Sequence, residues 1–160
     1  MSDIAIEFDL NGESRYDVVA PNSVLVDYLR DTCDLKGARI GCSRGVCGAC
    51  TVLIDGRPAA SCSVFTFQVD GAKLVTIEGV AGAAALDPVQ QAFIDSAAFQ
   101  CGYCTAGMIL LTKALLAHNP APQRPEIIDW LSSNVCRCTG YAQIIAAVED
   151  AALRLAQAAA

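Results

Sequence analysis

The stretch that decides the fold is Gly41-Cys-Ser-Arg-Gly-Val-Cys-Gly-Ala-Cys50, which holds three cysteines with the spacing C-x4-C-x2-C. Glycine recurs at positions 41, 45 and 48, which favours a loop over a regular helix or strand. The spacing is that of plant-type [2Fe-2S] proteins, whose fourth cysteine lies further along the chain. We therefore predict that one cluster is bound by Cys42, Cys47, Cys50 and Cys62.

The glycines suit this chemistry. A loop that wraps a cluster must approach the sulfur atoms closely and point backbone N–H groups at them, and glycine permits the backbone angles that this requires. Such N–H donors stabilise the reduced, more negative form of a cluster.

A second group of cysteines lies in the other half of the chain. Cys101 and Cys104 form C-x2-C, and Cys136 and Cys138 form C-x-C. Each pair precedes a predicted helix, and the partial positive charge of a helix N-terminus favours thiolates and anionic clusters. We expect the two helix starts to converge on one point. Cys33 fits neither group and is interpreted as a small buried hydrophobic residue.

Composition excludes several functions. The 160 residues carry a net charge of −6, so no basic surface is expected to attract a nucleic acid. The N-terminal residues show no export signal, and apolar runs are far shorter than the roughly 20 residues that span a bilayer. We therefore expect a cytoplasmic protein without membrane insertion, where clustered cysteines more often bind metal than form disulfides.

Hydrophobic periodicity predicts an α+β fold in two parts. Residues 4–10 alternate as a strand, Asn11-Gly12 supplies a hairpin turn, and further strands are predicted at 13–19, 51–55 and 73–77, with a helix at 24–31. Four helices follow. One is predicted at about 88–97 with Asp87 as its N-cap, two at about 105–118 and 125–132, and the last, capped by Thr139, runs towards residue 157. The predicted boundaries are a domain over 1–78, a linker over 79–86 and a helical domain over 87–160.

Three other interpretations of the cysteines remain open. Zinc also binds four thiolates, often through C-x2-C pairs, although the first group lacks two short pairs and the second has a C-x-C half. Cys101-Gly-Tyr-Cys104 alone resembles a thioredoxin-like redox pair, but no strand precedes it. A disulfide framework would require export.

Three segments together resemble a known family. Gly41-Cys-Ser-Arg-Gly-Val-Cys-Gly-Ala-Cys-Thr-Val52, Gln100-Cys-Gly-Tyr-Cys-Thr-Ala-Gly-Met108 and Asn134-Val-Cys-Arg-Cys-Thr-Gly-Tyr141 are similar to the iron–sulfur part of the xanthine oxidase family of molybdenum hydroxylases. The resemblance covers nearly the whole chain, in order. It is to the separate small subunit of bacterial members such as carbon monoxide dehydrogenase, 4-hydroxybenzoyl-CoA reductase and the N-heterocycle and aldehyde oxidoreductases.

The resemblance implies a plant-type ferredoxin-like β-grasp lobe with one [2Fe-2S] cluster and a four-helix bundle lobe with another, on Cys101, Cys104, Cys136 and Cys138. It implies a large partner subunit that binds molybdopterin and a medium one that usually binds FAD. In the family the positions of Gln100 and Cys138 contact the pterin. Ala106 departs from the family, which commonly has proline there, and we expect ligation to survive this change.

The implied function is electron transfer within an oxidoreductase complex, with no catalytic residue on this chain. Hydroxylation releases electrons in pairs whereas each cluster carries one, so two clusters in series pass them singly to a flavin or another acceptor. The alternative is a free ferredoxin-like carrier that shuttles between enzymes, for which the second lobe has no evident purpose.

Overall fold

A five-stranded mixed sheet forms the first half of the computed structural model, which describes residues 2–82 and 85–158. The strand order is β2-β1-β5-β3-β4, with β1 antiparallel to β2 and parallel to β5, and β3 antiparallel to β4 and β5. The strands are β1 (Ile4–Leu10), β2 (Glu13–Val19), β3 (Thr51–Ile54), β4 (Arg57–Ala60) and β5 (Lys73–Val75).

The predicted hairpin is confirmed. Leu10 pairs with Glu13, and Asn11 and Gly12 between them both have positive φ, at 57° and 90°. Positive φ at both central residues is what a type I′ turn requires, and its twist matches that of the flanking strands.

In the first half, two predicted elements differ from the structure and one strand was not predicted. The helix predicted at 24–31 is a short α1 (Leu25–Asp27) continued by a π-helical turn over Tyr28–Thr32. The strand predicted at 73–77 ends at Val75, and a 3-10 turn follows over Ile77–Gly79. Strand β4 was not predicted. It contains Pro58, which a strand tolerates here because β4 lies at the edge of the sheet.

Four longer helices form the second half: α2 (Pro88–Asp95), α3 (Thr105–His118), α4 (Arg124–Leu131) and α5 (Ala142–Ala158). Helix α2 has the predicted cap, since the Asp87 side chain accepts the Val89 N–H at 2.9 Å and the Asp87 N–H donates to Oε1 of Gln90 at 3.0 Å. Within the described ranges, no helix has the length and apolar character needed to cross a membrane.

Helix α5 begins later than predicted. Gly140 and Tyr141 have left-handed φ of 64° and 66°, which a right-handed helix cannot include. Thr139 therefore does not cap the helix, and its hydroxyl instead accepts the Tyr141 N–H at 3.2 Å.

Each half has its own buried core. The sheet packs on α1 and its π-helical turn around side chains such as Phe8, Leu29 and Leu74, and the helices pack around Phe93, Met108 and Ile144. A small third cluster joins them, in which Leu53 of β3 meets Leu110 and Ala114 of α3. Two residues of the predicted linker, 83 and 84, lie outside the described residues, as do residues 1, 159 and 160 of the predicted domains.

The glycine-rich loop meets the helical half at Gly48, which is buried and has a φ of +68°. A Cβ atom at this position would overlap the side chain of Asn134. The neighbouring Cys47 carbonyl accepts the Val135 N–H at 2.9 Å. Gly48 thus allows the two halves to touch beside a cysteine of each group.

We predict that Gly48→Ala destabilises the fold more than Gly71→Ala does. Both glycines have a left-handed φ, but a Cβ at Gly71 would meet nothing within 4 Å. Left-handed strain alone costs roughly 1–2 kcal/mol, and the overlap with Asn134 should add about 1–3 kcal/mol. Urea unfolding followed by circular dichroism measures both losses, and equal losses would contradict the packing argument.

Candidate metal centres

The glycine-rich loop points several backbone N–H groups at one thiol. The Cys42 Sγ accepts N–H groups from Arg44 at 3.4 Å, Val46 at 3.3 Å and Cys47 at 3.4 Å. These donors lower the pKa of the Cys42 thiol to about 6. The expectation from sequence that this loop would surround sulfur with amide donors is confirmed.

The same loop reaches the distant Cys62, whose Sγ accepts the Gly45 N–H at 3.3 Å. Close approach also explains Gly41, where a Cβ would lie only 2.8 Å from the Cys47 Sγ. Side chains larger than hydrogen are therefore excluded at the point where the loop closes over its sulfurs.

Strand β4 brings Cys62 back to Cys50. The β3–β4 hairpin pairs Thr51 with Ala60, so the residues that flank the hairpin ends lie side by side. The Ser61 hydroxyl donates to the Cys50 carbonyl at 2.7 Å and fixes this return. Cys50 is buried, which raises the pKa of its thiol to about 11, and its thiol interacts with that of Cys62.

The second group of cysteines is brought together by the helical half. The Sγ atoms of Cys101 and Cys138 lie 3.6 Å apart, and both residues are exposed. Cys104 and Cys136 form an inner pair whose thiols also interact. Burial raises the pKa of the Cys104 thiol to about 12.

The expected convergence of two helix starts holds for one helix. Cys104 is the N-cap residue of α3, directly at a helix N-terminus. The C-x-C pair, in contrast, is separated from Ala142, the first residue of α5, by a left-handed turn. Burial opposes ionisation of Cys136, but hydrogen bonds from Thr139 and nearby backbone N–H groups leave its pKa below the usual value.

Tyr141 organises the C-x-C segment, a role that sequence reasoning missed. Its hydroxyl donates to the Asn134 carbonyl at 2.9 Å and accepts the Cys136 N–H at 2.9 Å. Only its position at the end of the segment Asn134–Tyr141 indicated it, because spacing does not reveal that a tyrosine bonds to residues five and seven positions before it.

One cavity of about 240 Å³ is lined by both groups of cysteines. Cys42 and Cys47 contribute from the first half, and all four cysteines of the second group contribute from the other. Cys62 lies on a different side, where it lines a smaller cavity with Phe65 and Val64. Both groups of cysteines therefore border one cavity, whereas Cys62 faces another.

The thiols occur in pairs, which bears on what the sites can hold. The interacting pairs are Cys42 with Cys47, Cys50 with Cys62, Cys101 with Cys138 and Cys104 with Cys136. Over residues 2–82 and 85–158, no three His, Cys, Asp or Glu side chains are grouped so as to hold a single metal ion. Two pairs side by side match a two-iron cluster with four cysteine ligands.

Gln100, Cys33 and His118 lie outside the paired thiols. Gln100 is exposed beside Cys101. Cys33 is partly buried against the core of the sheet, and burial raises the pKa of its thiol. His118 stacks on Trp130 at a ring distance of 5.9 Å, away from both groups of cysteines.

Comparison with known proteins agrees with this arrangement. A family described as "2Fe-2S iron-sulfur cluster binding domain" matches residues 26–99, and one described as "[2Fe-2S] binding domain" matches residues 76–149. The nicotinate dehydrogenase small FeS subunit of Eubacterium barkeri is 47% identical over 98% of this chain and 99% of its own length. The nicotine 6-hydroxylase small subunit of Paenarthrobacter nicotinovorans is 44% identical over 92% and 89%.

Solved structures of two oxidoreductases contain the same fold. A chain of quinoline 2-oxidoreductase from Pseudomonas putida 86 superposes with a TM-score of 0.93 at 42% identity, covering 99% of this chain and 98% of that one. The aldehyde oxidoreductase of Desulfovibrio desulfuricans ATCC 27774 has a TM-score of 0.92 at 41% identity, covering 98% of this chain but 17% of that one. The same unit therefore occurs as a separate chain and as part of a longer one.

The pKa differences among the thiols predict an order of alkylation in the metal-free chain. Cys42, with a pKa of about 6, is largely thiolate at pH 7, whereas Cys50 and Cys104, with pKa values of about 11 and 12, are almost wholly protonated. Only thiolates react with iodoacetamide. Peptide mass spectrometry should find Cys42 labelled first, and labelling should slow as the pH falls through 6. Equal rates at Cys42 and Cys104 would contradict the prediction.

Proposed function

Because the chain belongs to the small iron–sulfur subunits of the xanthine oxidase family of molybdenum hydroxylases, we propose that its eight paired cysteines hold two [2Fe-2S] clusters in series. The chain is an electron-transfer subunit of a multi-subunit oxidoreductase and supplies no catalytic residue of its own. The observation that carries the cluster assignment is the single cavity that Cys42 and Cys47 share with Cys104 and Cys136.

The thiol pairs suggest how each cluster is held. In a [2Fe-2S] cluster with four cysteine ligands, each iron takes two of them. Cys42 and Cys47 would bind one iron of the first cluster, and Cys50 and Cys62 the other. In the second cluster the pairs would be Cys104 with Cys136 and Cys101 with Cys138. Structural zinc would instead need four thiolates around one ion, which pairwise contacts favour less.

Each bound cluster accepts and releases one electron at a time. The chain's own residues determine where that charge is stabilised. The N–H groups of Arg44, Val46 and Cys47 offset negative charge at Cys42, and the N-terminus of α3 offsets it at Cys104.

The positions of the thiols suggest a direction through the subunit. Gln100, Cys101 and Cys138 are all exposed at one end, where they suit contact with a molybdopterin held by a large subunit. Cys62 lines a separate cavity with Val64 and Phe65, which suits contact with an FAD-binding medium subunit or another acceptor. Electrons would thus pass between the pterin side and the flavin side through the shared cavity.

We propose a ferredoxin-like β-grasp lobe over residues 1–78, a linker over 79–86 and a four-helix bundle lobe over 87–160. Two separate cores, one in the sheet and one among α2 to α5, support this division. A cytoplasmic location is also proposed, because all nine cysteines are free thiols and a reducing compartment preserves them.

EPR spectroscopy tests the cluster assignment. The reduced, iron-loaded chain should give two distinct [2Fe-2S] signals, because an amide-rich loop surrounds one site and a helix N-terminus adjoins the other. A single EPR signal would contradict the two-site assignment, and a colourless protein would indicate zinc.

Single cysteine variants extend this test. Cys42→Ser should abolish the first signal and Cys104→Ser the second, and each should lower the bound iron by about half, since each cluster holds two of the four irons. Cys33→Ser is the matched control, because that thiol lies outside both groups, and it should retain both signals.

Purification from the native source distinguishes a subunit from a free carrier. We expect the chain to elute in size-exclusion chromatography with a large subunit that contains molybdenum and a medium subunit that contains FAD. The affinity-tagged chain should retain both partners. Elution of the iron-loaded chain alone, from a lysate in which the partners are present, would favour the shuttle.

A further inference from the structure

We propose that Tyr103 and Arg39 form a lock between the C-x2-C loop and the glycine-rich loop, which makes Tyr103 a positioning residue for electron transfer between the clusters. The proposal rests on the two-cluster function given above. It concerns how the distance between the sites is maintained, not which residues bind iron.

Tyr103 lies inside the C-x2-C loop, between Cys101 and Cys104. Its hydroxyl donates to the Ile40 carbonyl at 2.7 Å. Ile40 is followed by Gly41 and Cys42, so this bond joins one ligand loop to the entry of the other. Tyr103 is about half exposed, at 44%, so neither burial nor core packing explains where its ring lies.

Arg39 covers the ring from the other half of the molecule. Its guanidinium carbon lies 5.3 Å from the centroid of the Tyr103 ring, within the range of a cation–π contact. Among the described residues, no carboxylate lies within ion-pair distance of Arg39. Its positive charge is therefore free to act on the ring of Tyr103, which lies inside the C-x2-C loop.

The segment that presents Arg39 is held firmly. The Arg39 N–H donates to the Ala49 carbonyl at 3.0 Å, inside the glycine-rich loop. The Arg30 guanidinium donates to the Ala38 carbonyl at 3.0 Å, and Ala38 is buried. The Gly37 N–H donates to the Glu78 carboxylate at 2.7 Å. Arg39 and Ile40 thus provide a fixed surface for the tyrosine.

The C-x2-C loop needs such a contact. The C-x-C segment is tied to the first half through the bond from Val135 to Cys47 and through the packing of Asn134 on Gly48. The C-x2-C loop bends through Gly102, which has a φ of +77°, and carries the exposed Phe99 and Cys101. Tyr103 makes the hydrogen bond that ties this loop to the first half.

Three substitutions separate the parts of the lock. Tyr103→Phe removes the hydrogen bond and keeps the ring beneath Arg39. Arg39→Gln removes the charge and the stacking cation, while Arg39→Lys retains a charge. Tyr16→Phe is the matched control, because Tyr16 is 66% exposed on β2. All variants are to be made in the full, iron-loaded chain.

Hydrogen exchange is the first measurement. Amides of residues 99–104 should exchange faster in Tyr103→Phe, by roughly two- to tenfold, the factor that corresponds to one net hydrogen bond. Exchange in residues 134–138 should not change, since that segment has its own contacts. Tyr16→Phe should leave both segments as they are in the native chain.

EPR of the fully reduced chain is the second measurement, through the magnetic interaction between the two clusters and the midpoint potential of each. We expect Tyr103→Phe to weaken the interaction, because it falls steeply with distance. Arg39→Gln should lower the potential of the second cluster, since a nearby cation favours the reduced form, and Arg39→Lys should restore it in part. A contact that only stabilised the fold would change neither the magnetic interaction nor the midpoint potentials.

The outcomes are distinct. Loss of loop protection together with a weaker interaction supports the lock, whereas native exchange and native spectra in both Tyr103→Phe and Arg39→Gln overturn it. Absence of cluster signals in the native chain would refute the proposed function itself. The lock is then tested by hydrogen exchange alone. If residues 99–104 exchange at the same rate in Tyr103→Phe as in the native chain, the lock is overturned too.

Discussion

Thiolates held close together repel one another, and backbone N–H groups that point at the sulfurs offset this repulsion. Three amides converge on Cys42, one reaches Cys62, and the first turn of α3 begins at Cys104. Each donor requires a particular backbone path, so the glycine-rich loop, the β3–β4 hairpin and the start of α3 are all shaped by the sulfurs they serve. The strands and helices behind them hold those paths in place.

Neither half has a large core, and small domains commonly rely on metal or on a neighbour for stability. Here the cysteine groups and the contact between the two halves lie at the same place. The contact of Gly48 with Asn134 and the bond from Val135 to Cys47 join the halves beside the cavity that both cysteine groups line. The packing that stabilises the molecule is therefore the packing that sets the distance over which electrons would move.

Much of the fold could be predicted because its signals are local. The Asn11-Gly12 turn, the Asp87 cap and the bounds of α3 all follow from neighbouring residues, and the structure agrees with them. The errors arose where tertiary context overrides a local pattern. Pro58 lies in a strand because β4 is an edge, and α5 starts after Tyr141 because that residue adopts a left-handed backbone to place its hydroxyl on Asn134.

The sequence alone predicted which cysteines belong together, because cysteine spacing in a loop limits which sulfurs can share a cluster, and its three motifs identified the family. It also determined that the second group would need a helical half to assemble it. Only the tertiary structure decided how the thiols pair, that both groups line one cavity, and that Tyr103 and Arg39 span the two loops. The shared cavity and the Tyr103–Arg39 contact depend on residues far apart along the chain, such as Tyr103 and Ile40, which are 63 positions apart, and no local pattern encodes where such residues meet.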